Sequence, residues 1–126
     1  MDLRTPLGRV RGLGSAKSGL HHWWAQRLTG VALVPLSVWF VAVTIMMVNG
    51  DYEAAREWVS GPIVAAIWVF FLAALFHHAQ LGMQVIIEDY VHDEGVKLGT
   101  LIAIKMAFLV LALIAIIAVL RIALGS

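Results

Sequence analysis

Three apolar runs, each long enough to cross a bilayer as a helix, dominate the alternation of polar and apolar positions. They cover 28–48, 61–87 and 98–120. A hydrocarbon core about 30 Å thick needs roughly 20 helical residues. The first run holds no Asp, Glu, Lys or Arg. The second holds none either but is interrupted by His77, His78, Gln80 and Gln84, and the third has Lys105 as its one charge. The polar links at 49–60 and 88–97 are short. Backbone groups in lipid must be satisfied within their own segment. The pattern therefore predicts an all-α membrane protein, a single domain over 1–126 with three transmembrane helices in an up-down-up bundle. Residues 1–27 form a basic arm, and the glycine-bearing stretch 8–19 reads as flexible or extended. Pro35 falls inside the first span, where bundles tolerate a kink.

The distribution of charge gives the bundle a direction. Arg4, Arg9, Arg11, Lys17 and Arg27 face a single carboxylate, Asp2, in the first 27 residues, although the whole chain has a net charge of only +1. The first link carries Arg56 beside Asp51, Glu53 and Glu57. Lys and Arg bias short loops toward the cytoplasm, so the N-terminus is expected to be cytoplasmic, the 49–60 link outside and the 88–97 link cytoplasmic. Trp23, Trp24 and Trp58 stand just before spans, as interfacial aromatic belts require. The first apolar run is too long for a signal-peptide core and has no small-residue cleavage site after it, so it is expected to be a retained helix.

Composition narrows the class. Of 126 residues, 61% are hydrophobic and 13% charged, against about 45–50% and 25% in soluble domains. The mean hydropathy of +0.88 agrees. A soluble enzyme, a disordered chain and a nucleic-acid-binding module are excluded. With no cysteine, disulfides, thiolate metal sites and iron–sulfur ligation are excluded too. No catalytic triad, phosphate-binding glycine loop or zinc-protease motif is present. Redox work would fall to a bound cofactor or a partner.

The polar residues inside the apolar spans carry the candidate chemistry. A histidine at membrane depth is costly and usually faces a bundle interior or a cofactor, and neutral imidazole is a common ligand to haem iron. His77 and His78 point about 100° apart on a helix, so one of the pair would be an axial ligand. Gly82 shares the face of His78 and leaves room for a flat macrocycle. Interhelical hydrogen bonding is the other reading of both histidines, and it stands open at this point. Tyr90 would lie roughly 18 Å along the axis from His78, where its hydroxyl suits a quinone carbonyl or a plain interfacial role. His21, His22, Trp23, Trp24, Gln26 and Arg27 form a third cluster. The arginine fork suits a carboxylate or lipid phosphate, and snorkelling explains it equally. Lys105 is expected to snorkel.

The run His78-Ala79-Gln80-Leu81-Gly82-Met83, followed by Asp89-Tyr90-Val91, resembles the H-x-x-x-G-M…D-Y signature of the succinate dehydrogenase hydrophobic membrane anchors of the small D type. Ser18-Gly19-Leu20-His21 and Arg27-Leu28-Thr29 are similar to the entry of that family's first helix. The resemblance implies a subunit of respiratory complex II in the bacterial cytoplasmic membrane. It would hold one haem b between itself and a second three-helix anchor of cytochrome b type, with His78 as this chain's axial ligand to the haem iron. Tyr90 and Asp89 match the quinone site, and Arg27 and His21 match positions near the haem propionates and the quinone pocket. A flavoprotein and an iron–sulfur protein would dock on the cytoplasmic face and pass electrons from succinate to ubiquinone. The chain would then be a non-catalytic part of an enzyme complex and an obligate heteromer.

Three other readings remain. A fumarate reductase anchor has the same architecture run in the opposite direction. A haem-free structural subunit would use His78 only to join helices. A channel or transporter component is disfavoured, because so few charges in three spans leave no continuous polar path.

Overall fold

The computed structural model describes residues 3, 5–12 and 17–125. Asp2, Arg4 and residues 13–16 of the basic arm lie outside the described residues. Among those described there are five helices and no strand: α1 (Pro6–Arg11), α2 (Lys17–Val48), α3 (Tyr52–Ser60), α4 (Pro62–Tyr90) and α5 (Glu94–Ala123). Helices α2, α4 and α5 contain the three segments long and apolar enough to cross a membrane, so the fold is the expected all-α, three-span membrane bundle.

Local sequence explains where each helix begins and ends. Thr5 caps α1 by accepting from the Gly8 amide at 3.0 Å, Pro6 occupies its first turn, and Gly12 ends it with φ +57°. Part of the stretch expected to be flexible or extended is therefore helical, because a cap and a proline at the first position preorganise it. Helix α2 starts about three turns ahead of residue 28 and runs through Pro35 to Val48. Hydropathy marks only what lipid covers, whereas helical hydrogen bonding continues past the hydrocarbon boundary. The 49–60 link is a helix for most of its length, with Asp51 at its N-cap position and Gly61 closing it. Gly61 also precedes Pro62, the first residue of α4. The second link shrinks to Val91, His92 and Asp93. Asp93 caps α5 by accepting from the Val96 amide at 2.8 Å, and Lys97 pairs with Glu94 at 3.1 Å.

Helix α4 is the centre of the bundle and packs against α2, α3 and α5. Its antiparallel pairing with α2 is set by two levels of contact. Near one end, Leu33, Phe71 and Ala74 form the core with Phe40 and Trp68 around them. Phe40 stacks on Phe71 at 5.0 Å between ring centroids, and Trp39 meets Trp68 edge-on at 5.2 Å. Trp58 of α3 lies 6.3 Å from Trp39. Farther along, Thr29 meets His78, as described below. Phe76 and Phe108, 6.4 Å apart, join α4 to α5.

The interior is thin. No residue of α5 is buried, and most large apolar side chains of the three long helices face outward. In lipid that surface costs little, so packing contacts decide stability. Phe71 is 4% exposed and Phe70 is 58% exposed, which gives a clean comparison. Phe71→Ala should leave a cavity of roughly 100 Å³, and at about 24 cal/mol per Å³ this costs about 2 kcal/mol. Phe70→Ala should cost almost nothing. The unfolding midpoint in mild detergent, followed by tryptophan fluorescence, checks the difference.

Candidate functional site

The two histidines of α4 face different surroundings. His78 is half-buried against α2, and its Nδ1 lies 3.0 Å from Thr29 Oγ1. Gly30, the next residue on α2, lies beside the same ring. A methyl group at Gly30 would meet His78 Cε1 at 3.4 Å, an ordinary contact. Gly82, the glycine one turn beyond His78, serves a different neighbour. A methyl group added there would stand 3.8 Å from Gln26 Nε2, an ordinary contact. His77 is exposed and turns toward a separate cleft between α4 and α5 that also takes in Gln80 and Lys105.

Beside His78, α2 and α4 enclose an open cleft of about 600 Å³, within the ~300–1,000 Å³ range of ligand pockets. On α2 it is lined by His22, Trp23, Gln26, Arg27 and Gly30, and on α4 by His78 and Val85. His22, Gln26 and Gly30 are four residues apart and share one helix face. His22 Nε2 and Gln26 Oε1 are buried without a hydrogen-bond partner among the described residues. A buried polar atom left unpaired costs on the order of 1–3 kcal/mol, so these two atoms mark a place for a polar group from elsewhere. The Arg27 guanidinium lies 5.4 Å from the centre of the Trp23 ring. Among the described residues it has no carboxylate partner, so it is available to an anion.

Not all of the expected site residues gather here. His78 and Arg27 do. His21 is exposed and does not line the cleft; its neighbour His22 does. Tyr90 and Asp89 sit at the last turn of α4, both exposed, with Tyr90 77% exposed. The Tyr90 backbone carbonyl lies 3.0 Å from His92 Nδ1, while its ring projects from the bundle. Along α4 toward that end runs a ladder of side chains: Gln80 Nε2 donates to Gln84 Oε1 at 3.3 Å, and Gln84 Nε2 to Glu88 Oε1 at 2.8 Å. Sequence reading gave no role to Thr29 or Gly30. Thr29 stood only within the Arg27-Leu28-Thr29 run, and both residues share one face of α2 with His22 and Gln26.

The donor set bears on what the cleft holds. Among the described residues no three His, Asp or Glu side chains converge as a metal centre, and the imidazoles that line the cleft are His22 and His78. A metal that brings its own planar chelate needs no more than one imidazole from this chain. Gly30, Arg27 and the orphaned His22 Nε2 suit a flat group with acidic edges. The residues fit a haem.

Fold and cleft together describe a small multi-pass membrane protein with an open cleft between its first two long helices. The family described as Succinate dehydrogenase/Fumarate reductase transmembrane subunit matches residues 1–120, and the chain belongs to it. It is 35% identical over 114 residues to the succinate dehydrogenase hydrophobic membrane anchor subunit of Rickettsia bellii (strain RML369-C), covering 90% of each chain. It is 29% identical over 122 residues to the protein of that name from Paracoccus denitrificans, covering 97% of this chain and 94% of the other. The succinate dehydrogenase membrane anchor subunit of Reclinomonas americana is 29% identical over 93 residues, 71% of this chain and 78% of its own. No solved structure gives a significant match.

Proposed function

We propose that this chain is the D-type hydrophobic membrane anchor of a succinate dehydrogenase in a bacterial cytoplasmic membrane. It holds one b-type haem jointly with a second three-helix anchor and supplies a wall of the ubiquinone-reduction site. The observation that carries this reading is His78, an imidazole presented by α4 to an open cleft that Arg27 also lines, in a chain of this family. The names and coverage of the relatives support the succinate-oxidising assignment.

Each residue then has a task. His78 would hold the haem iron through a ring nitrogen, and a further ligand would come from the partner anchor. Arg27 would neutralise a propionate, and His22 Nε2 and Gln26 Oε1 would gain the hydrogen-bond partners they lack among the described residues. Bound there, the haem supplies a one-electron store within the membrane. Tyr90 hydrogen-bonds a quinone carbonyl as a donor, with Asp89 beside it. Both are left exposed by this chain, as a pocket closed by the iron–sulfur subunit requires. The basic arm and the Tyr90 end lie on the cytoplasmic side, where the flavoprotein and iron–sulfur protein dock. His21 sits one position from the cleft, near enough to the headgroup boundary to serve its approach.

Purification of the native complex through a tag on this chain tests the proposal. The expected eluate contains four subunits, reduces ubiquinone with succinate and shows a b-type reduced-minus-oxidised spectrum. Recovery of intact four-subunit complex without any b-type signal would remove the haem from the assignment. Absence of the flavoprotein and iron–sulfur subunits would remove the assignment itself.

A further inference from the structure

The hydroxyl of Thr29 makes more than one contact, and together these contacts fix the state of His78. Thr29 Oγ1 lies 2.6 Å from the Ala25 carbonyl oxygen and 3.2 Å from that of Gln26, besides its 3.0 Å approach to His78 Nδ1. A hydroxyl has one proton to give. The short contact to the Ala25 carbonyl takes it, in the back-bonded arrangement familiar for threonine in helices. What Thr29 then turns toward the imidazole is a lone pair, so Nδ1 must carry the proton and donate. Nε2 is left unprotonated, and among the described residues it has no protein partner. This is the nitrogen a metal takes when the other one is held by a hydrogen bond.

We propose that Thr29 is the positioning residue that sets the tautomer, orientation and donor strength of His78 toward haem iron. The proposal rests on the haem reading above and extends it to a residue that touches neither haem nor substrate. Donation from Nδ1–H to Thr29 increases electron density on Nε2. A stronger axial donor favours the oxidised iron and lowers the haem potential. Gly30 packs beside the same ring, where an added methyl would stand 3.4 Å from His78 Cε1.

The test uses the complex purified through a tag on this chain, with Thr29→Val, Thr29→Ser and His78→Ala compared to the native form. Valine keeps the shape of threonine without the acceptor, and serine keeps the acceptor without the methyl group. Thr29→Val should shift the haem midpoint potential upward, alter the low-spin electron paramagnetic resonance g-values, and speed haem loss to a scavenger by at least about ten-fold. Thr29→Ser should restore all three toward the native values. Unchanged potential and g-values in Thr29→Val, with His78→Ala losing its haem, would overturn the role of Thr29 alone. Equal haem loss in the valine and serine variants, with the native potential in the haem that remains, would show a packing role and overturn it too. A native spectrum in His78→Ala would overturn the ligand assignment, and this proposal with it.

Discussion

His78→Ala is expected to abolish the b-type signal of the purified complex, while His77→Ala leaves it nearly intact. The two residues are neighbours, but a helix turns them about 100° apart. His78 faces the cleft with its Nδ1 anchored on Thr29. His77 faces the opposite groove beside Gln80 and Lys105. To bring His77 to the cleft, α4 would have to rotate about its axis. That rotation would pull Phe71 off Phe40 and Gly82 away from Gln26. Loss of an axial ligand should appear as haem-free complex or as a high-spin spectrum with weakened binding. The comparison is decided by the reduced-minus-oxidised spectrum and by haem per mole of complex. A native signal in His78→Ala together with loss in His77→Ala would reverse the register of the helix.

Tyr90→Phe is expected to slow ubiquinone reduction at least about five-fold, while succinate oxidation by a soluble dye stays within error of the native complex. The substitution removes one hydroxyl from an exposed ring at the end of α4 and disturbs no packing. A hydrogen bond is worth about 1 kcal/mol, which corresponds to about five-fold in rate; a share in proton delivery would add to it. The dye accepts electrons before they reach the membrane and so should not sense the tyrosine. Paired steady-state assays with quinone and dye, on the same preparation, measure both. Equal loss in the two assays would give Tyr90 a structural part in docking the soluble subunits.

The sequence revealed the three spans because each is an uninterrupted apolar run, a signal that needs no tertiary information. It hid α3, since 52–60 mixes acids, alanines and one tryptophan and reads as a polar link. Only packing of Trp58 against Trp39 and the burial of Val59 show why it is helical. The site was legible in part. His78 stands out as a polar residue where lipid should be, and its spacing to Gly82 and Tyr90 carries the family resemblance. Thr29 figured only in the run that resembles the family's first-helix entry and Gly30 not at all, because nothing in a linear pattern says which turn of one helix meets which turn of another. The choice between His21 and His22 was hidden for a related reason. It depends on the phase of α2 after it leaves the apolar run, and Trp23 and Trp24 give no phase of their own.

The order of the helices in space is also their order of synthesis. Helix α4 touches both α2, made before it, and α5, made after it, so no helix has to be displaced to let a later one in. Every residue that lines the cleft belongs to α2 or α4. Chains emerge N-terminus first from the ribosome. All of the cleft has therefore been synthesised before the first turn of α5, and a nascent chain can present His78 on Thr29 while its last helix is still to be made.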